Sequence, residues 1–517
     1  MLAVASQHAL ADRVAWVGLV LGPILAIITW ALIPEARFDA SGVLIGGLMP
    51  AGRATAATGV LMAVWWLTEA IPLPATALIP LVLFPLTGAA DIKAAAAPFA
   101  HSVIFLFLGG FLLGLAMERS GLHKRIALSI VLLVGTGPRM LIGGFMLASA
   151  ALSMWVSNTA TTIMMLPIAM SVLTLVAVQH APAGTAAEDA PSPDPHFDTA
   201  LLLGIAYAAS IGGIATLIGT PPNAVLKGFI ETDLGREIGF AQWLAIGLPI
   251  TVVFLPLAWA YLVFFSQRVR LREIPGGRAV IRAERSQLGP MSRAERTVLV
   301  VFLCAIVLWI ARPFLARYGA GHEMALLGRL NDSSIAIGAA LALFIIPVNA
   351  RTRTFAMDWQ TTRRLPWGIL LLFGGGLSLA AAISATGVDV FIGSSITGIG
   401  HLPAWVAITL VCTLMIFLTE LTSNTAVTTA LLPILAAAAP ALGVDPIRVI
   451  VPAALAASFA FMLPVATPPN AIVFGSGRIR IGQMARAGFG LNILGILVIS
   501  GATIVLEDLI LKINAGP

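Results

Sequence analysis

Long, uninterrupted apolar runs restrict the fold of this chain more than any other feature. Stretches of about 17–25 residues, separated by charged or Pro/Gly-rich breaks, recur from end to end. They fall near residues 14–33, 54–70, 72–89, 101–118, 199–230, 242–266, 295–313, 332–349, 365–386, 446–475 and 484–511. Of the 517 residues, 59% are hydrophobic and only 10% are charged, whereas soluble domains carry roughly 25% charged residues. An ordinary soluble enzyme, a disordered chain and a disulfide-rich secreted domain are thereby excluded. A transmembrane barrel would alternate polar and apolar residues, and these runs are continuous. The expected fold class is an all-α polytopic membrane protein. The first run, Val14–Ile33, is too long for a signal-peptide core and lacks a clear cleavage site, so it reads as a retained helix.

Two further uncharged runs, 140–178 and 402–444 (apart from Glu420), are too long for one crossing and hold no charged turn that would divide them into two. Each is expected to be a re-entrant hairpin, whose irregular tip is tolerated at membrane depth only inside protein or along a cavity. With a cytoplasmic N-terminus and eleven crossings, 20 of the 30 Lys and Arg residues fall inside, as the positive-inside rule requires. Eight of them are the arginines from Arg268 to Arg296. The net charge of +6 therefore reports topology, and a nucleic-acid partner is not expected. The C-terminus is expected outside an inner (plasma) membrane. Cys304 and Cys412 lie in apolar runs, which indicates neither a disulfide framework nor a metal cluster.

The chain repeats itself. SNTATTIMMLPI at 157–168 matches SNTAVTTALLPI at 423–434 in eight of twelve positions, at an offset of 266. The same offset aligns Phe107-Leu108-Gly109-Gly110 with Phe373-Gly374-Gly375-Gly376, and Gly121 with Gly387. TPPNAVLKG at 220–228 matches TPPNAIVFG at 467–475 in six of nine positions, at an offset of 247. An odd number of expected crossings separates the two SNT segments, so the halves should be inverted in the membrane, as in secondary transporters. The expected units are the first helix and scaffold helices (1–136), an inner-side hairpin (137–179) and a flexible acidic linker (180–198). Next come helices at 199–266 with a break at 219–223, a basic, partly interfacial connection (267–294) and the scaffold helices of the second repeat (295–400). An outer-side hairpin (401–445) and helices at 446–517 with a break at 466–470 complete the chain.

These motifs put short polar groups in the middle of apolar segments. Ser157-Asn158-Thr159 and Ser423-Asn424-Thr425 offer oxygens to a cation and N–H or O–H groups to an anion. Pro221-Pro222 and Pro468-Pro469 remove amide donors and interrupt their helices. Carbonyls near Gly219 and Ala466 are thereby freed, and each following half-helix presents a positive N-terminal end. Neither SNT segment nor TPP turn holds a Lys or Arg, and Lys227, four residues beyond Asn223, is expected to snorkel to the outer interface, with direct service to the anion as the alternative. A buried dianion there would lack a counter-charge, which bound cations can supply. Glu420 is a candidate cation-site neighbour, a proton carrier or a local partner for backbone groups. Trp65 and Trp66 read as an interfacial belt.

Paired SNT motifs, each followed by a helix broken at TPPN, together with WWLTEAIPLPATALIP at 65–80, resemble the divalent anion/sodium symporter family. The resemblance runs from about residue 54 to 512. It implies a homodimer with a scaffold domain and an elevator-type transport domain that carries succinate, fumarate, malate, citrate or sulfate. One sodium ion would be held by Ser153, Ser157, Asn158 and the Gly219 carbonyl, and a second by Thr419, Thr422, Asn424 and the Ala466 carbonyl. Both SNT motifs would hold the substrate carboxylates, with Thr220, Pro221 and Pro468 close by. Ser153 and Thr419 stand four residues before the motif serines, so each is expected to share a helix face with its serine. The leading expectation is sodium-coupled uptake of a C4-dicarboxylate. A sodium-independent exchanger and a sodium-coupled sulfate or citrate carrier of the same fold are the alternatives. No enzyme-like constellation of metal-binding histidines, diphosphate-binding aspartates or a serine–histidine pair stands out in the apolar core.

Overall fold

The computed structural model describes residues 2–38, 44–135, 137–180, 192–271, 273–274, 277–321, 329–396 and 403–512. Helix α1 (Leu2–Leu32) is followed by a small antiparallel ribbon, β1 (Arg37–Phe38) and β2 (Leu44–Gly46), with Arg37 opposite Gly46. The first repeat contains α2 (Pro50–Thr68), α3 (Leu73–Thr76), α4 (Ile79–Thr87), α5 (Ile92–Ala96), α6 (Ser102–Ser120) and α7 (Leu122–Val134). It continues through α8 (Pro138–Ser153), α9 (Asn158–His180), α10 (Pro195–Gly213), α11 (Pro221–Asp233) and α12 (Phe240–Ala260). Helix α13 (Gly277–Gln287) joins the halves. The second repeat begins with α14 (Arg293–Gly321), α15 (Asp332–Ile345) and a ribbon of β3 (Pro347–Asn349) and β4 (Thr354–Phe355). Then come α16 (Trp367–Ala385), α17 (Val388–Ile396), α18 (Ala404–Thr419), α19 (Asn424–Ala438), α20 (Pro446–Ala457), α21 (Pro468–Gly475), α22 (Ile481–Val505) and α23 (Glu507–Leu511).

The duplication in sequence is a duplication in backbone. Helices α8 and α18 start and end at positions 266 apart, and so do the first residues of α9 and α19. Thr220 and Thr467, before the broken half-helices α11 and α21, share an extended conformation, with φ/ψ of −145/144° and −143/149°. Gly121 and Gly387 end α6 and the turn after α16 with φ of +81° and +72°, a region that glycine enters without steric cost. Gly109 lies against the backbone of Ala336, and its counterpart Gly375 against that of Ala77, so a side chain at either position would push two elements apart.

The halves are interlaced. Helix α11 packs on α19 and α20, while its counterpart α21 packs on α9 and α10. Phe107 and Phe373, equivalent residues, meet edge to face with centroids 5.3 Å apart. The core lies around α10 and α20, predominantly apolar and buried over nearly their whole length, as helices without a solvent face are. α1 sits at the periphery against α2. Among the described residues, seven helices are long and apolar enough to cross a bilayer, and shorter or broken apolar helices supplement them.

Several expectations need correction. Helix α7 lies outside the expected crossings, because its charged start (His123, Lys124, Arg125) interrupts the apolar pattern. Within the acidic linker, residues 181–191 lie outside the described residues, as do 397–400 at the end of the second scaffold unit and 401–402 at the start of the outer hairpin. The linker's last residues are anchored. Asp194 is buried, caps α10 and accepts the backbone N–H groups of Arg270 and Leu271 at 2.8 and 2.9 Å. Asp198 pairs with Arg478 at 3.1 Å. Trp66 is fully buried and donates to the Leu73 carbonyl, so it belongs to the core and not to an interfacial belt.

Candidate substrate and cation site

Each long apolar run folds as two helices separated by a four-residue tip, 154–157 in the first half and 420–423 in the second. The motif serines cap the helices that leave the tips. Ser157 Oγ accepts from the Ala160 N–H at 3.2 Å, and Ser423 Oγ from the Ala426 N–H at 3.5 Å. The following residues, Asn158-Thr159 and Asn424-Thr425, open their helices, where backbone N–H groups have no intrahelical acceptor. Ser153 and Thr419 end the preceding helices. The expected shared helix face with the motif serines therefore fails, because the tip intervenes. Ser153 instead hydrogen-bonds the Asn158 side-chain oxygen.

The two proline breaks are stapled by a residue that motif reading overlooked. Asn223 Nδ2 donates to the Gly213 and Thr216 carbonyls at 3.3 and 2.7 Å. Asn470 Nδ2 donates to the Ala460 and Leu463 carbonyls at 3.2 and 3.0 Å. The acceptors lie ten and seven residues before the asparagine in both halves. Both asparagines are fully buried, and their bonds add donors to carbonyls at the breaks, of which those of Thr216 and Leu463 also take the Gly219 and Ala466 N–H groups. The signal was present: asparagine is the fourth letter of both TPPN copies.

Glu420 is buried and serves the second break directly. Its Oε1 accepts from the N–H groups of Phe461 and Met462 and from Asn492 Nδ2, and its Oε2 from the Leu463 N–H, all at 2.7–3.0 Å. Of the three expected roles, the local partner for backbone groups is the one these contacts display. The equivalent first-half residue is Met154, whose carbonyl accepts the Thr216 hydroxyl. Lys227 does not snorkel. Its side chain is 4% exposed and is ion-paired with Glu231, and its ammonium also donates to the Ile238 carbonyl.

Of the first expected sodium set, Ser153, Asn158 and the Gly219 carbonyl lie close together. A Cβ placed on Gly213 would fall 2.8 Å from Asn158 Oδ1 and 3.2 Å from the Gly219 carbonyl oxygen, so both oxygens converge there, beside Ser153. The second set is looser. Thr419 and Thr422 donate to helix carbonyls behind them, Met415 and Ile416 for the former and Leu418 for the latter. Asn424 and Ala466 line the central cavity, whereas Thr419 and Thr422 do not.

That cavity, of about 780 Å³, gathers the motifs of both halves. Ser157, Asn158 and Thr159, Gly219 to Pro221, Ser423 to Thr425 and Ala466 to Pro469 all line it. Helices α9, α11, α19 and α21 thus turn their N-terminal ends toward one space. Ser153 stands behind its wall. Thr467 Oγ1 caps α21 by accepting from the Asn470 N–H, while the buried Thr220 hydroxyl has no hydrogen-bond partner among the described residues. The charged side chains in the lining are Glu69, Glu118 and Arg364. Arg364 and Glu118 pair at the water-exposed rim of the cavity, beside the Asp358–Arg119 pair at 2.6 Å. Hydrogen bonds from Thr361 hold the Asp358 carboxyl below its ordinary range, with Arg119 adding to the effect.

A polytopic helical fold with a duplicated, twice-interrupted central site is that of a membrane transporter rather than an enzyme. The chain belongs to the sodium:sulfate symporter family, whose transmembrane region it matches over residues 14–509. It is 42% identical over 484 residues to the sodium-dependent dicarboxylate transporter SdcS of Staphylococcus saprophyticus, covering 93% of this chain and 89% of that protein. The SdcS of Staphylococcus aureus is 39% identical with the same coverage. Among solved structures, the fold is similar to the YdaH transporter of Alcanivorax borkumensis, with a TM-score of 0.56 and 14% identity over 96% of this chain and 98% of that one. It is also similar to MtrF of Neisseria gonorrhoeae, with a TM-score of 0.57 and 12% identity over 96% and 94%. These two likenesses concern the fold alone.

Proposed function

We propose that this protein is a sodium-coupled symporter that takes C4-dicarboxylates such as succinate, fumarate and malate into the cell by elevator-type alternating access. The observation that carries the reading is the convergence of four helix N-termini, from two SNT tips and two TPP turns, on one cavity without a basic side chain at the tips. Helix N-termini attract carboxylates through free N–H groups and the helix dipole. Helices α11 and α21 begin with two prolines, which have no amide hydrogen to give. The donors for an anion therefore come mainly from Asn158, Thr159, Asn424 and Thr425. Sodium held behind the tips supplies the rest of the charge.

On this reading, Ser153, Ser157, Asn158 and the Gly219 carbonyl hold one sodium ion. Thr419, Thr422, Asn424 and the Ala466 carbonyl hold the other. The substrate sits between the SNT motifs, next to Thr220, Pro221 and Pro468. The hairpins, the broken helices and the helices after them form the moving body, and the remaining helices form the scaffold of a homodimer. The interlaced packing of α11 and α21 and the Phe107–Phe373 contact support a two-fold relation between inverted halves. Eleven crossings, two re-entrant hairpins, an inside N-terminus and an outside C-terminus in the inner (plasma) membrane follow from the charge distribution. The cavity then faces the cytoplasm, because its rim residues Glu118 and Arg364 lie on the basic side.

The test is uptake of labelled succinate into proteoliposomes under inward gradients of sodium, lithium, potassium or choline. Sodium-driven uptake, competed by fumarate and malate more strongly than by sulfate or citrate, is expected. Uptake indifferent to sodium would overturn the coupling, and competition by sulfate alone would overturn the substrate.

A further inference from the structure

We propose that Arg364 and Glu118 form a carboxylate-exchange site at the rim of the central cavity. Arg364 takes one carboxylate of a dicarboxylate passing between the tips and the cytoplasm, and Glu118 occupies the guanidinium when no anion is there. The inference rests on the dicarboxylate reading above. Arg364 is the one basic side chain among the described residues that line the cavity, and Glu118 lines it too. The two are ion-paired, and the Arg364 side chain is 59% exposed. With the guanidinium so open to water, such an ion pair is weak, and an arriving carboxylate can displace Glu118. A guanidinium also matches a carboxylate in a two-pronged geometry that an ammonium lacks.

The rim is built to present this side chain. Residues Thr361–Arg364 form a single tight helical turn. Asp358 caps it, accepting from the Thr361 N–H and hydroxyl at 2.8 and 2.9 Å. The Trp367 indole N–H donates to the Thr362 carbonyl at 3.1 Å. Arg119, beside Glu118 on α6, pairs with Asp358 and ties α6 to the same segment. The rim is therefore already fastened without the Arg364–Glu118 pair, which is free to open. A dianion leaving the tips gives up the helix N-termini before it regains full hydration, and Arg364 stands where that gap must be crossed.

The experiment measures the half-saturating succinate concentration separately at the cytoplasmic and outer faces, in inside-out and right-side-out vesicles, for wild type, Arg364→Gln, Glu118→Gln and the double variant. Arg364→Gln should raise the cytoplasmic value about two- to fivefold relative to the outer value. Glu118→Gln should lower it by a similar factor, and that gain should vanish in the double variant. If the pair only braces the rim, both single variants break the same bond and shift the value in the same direction. That result would overturn the proposal, as would unchanged cytoplasmic values. If the wild type itself carried no succinate, the dicarboxylate reading would fail first, and the two failures are thereby distinguished.

Discussion

Gly213 shows how much one missing methyl group can decide. It ends α10 where Asn158 Oδ1 and the Gly219 carbonyl converge, and a Cβ there would stand 2.8 Å from the former. Its second-half equivalent, at the offset of 247, is Ala460. Replacing Gly213 with alanine favours the helix by up to about 1 kcal/mol, yet it sets a methyl group in the expected cation position. The half-saturating sodium concentration for succinate uptake should rise about tenfold or more, a cost of about 1.4 kcal/mol, while thermal unfolding shows no net gain, because the same methyl group crowds Asn158 and the Gly219 carbonyl. Unchanged sodium activation would remove the first sodium set from this place. The nearness of Ser153 and Asn158 was expected from the family resemblance, but the part played by Gly213 was not legible in the sequence. A helix ending in two glycines reads as a break, and only the tertiary fold brings the hairpin tip against it.

At the scale of elements, the repeat made most of the site legible, because the residues that shape it are those that resist change in both copies. The SNT caps, the TPP breaks and the Gly121/Gly387 turns all stand where the duplicated motifs put them. What escaped notice depends on partners distant in sequence. Trp66 gives no sign of burial until α2 packs in the core, and α7 is short and begins with charge. The staple at each break connects residues up to ten apart through a buried amide, and Glu420 adds three backbone bonds in the second half alone. The halves should therefore differ when the staple is removed. Asn223→Ala leaves the first break with the Gly219 N–H on the Thr216 carbonyl and the Trp243 indole on the Ile214 carbonyl, but with no carboxylate holding its backbone, and should cost about 1–3 kcal/mol. Asn470→Ala should cost less, because Glu420 still holds the loop. Thermal unfolding of both variants in detergent measures this, and a larger loss for Asn470→Ala would contradict the division of labour.

For the whole molecule, scarcity of charge is the governing fact. Two interlaced halves enclose a cavity whose tips offer helix ends and small polar side chains but no ammonium or guanidinium. An anion bound there needs its counter-charge to arrive with it, and that requirement makes coupling a property of binding itself. Because linkage is reciprocal, sodium must tighten succinate by the same factor by which succinate tightens sodium. Equilibrium binding of labelled succinate to the purified protein, in sodium chloride and in choline chloride at equal ionic strength, tests this most directly. At least tenfold tighter binding in sodium, with the matching gain in sodium affinity when succinate is present, is the predicted result. Equal succinate affinity in the two salts would contradict it.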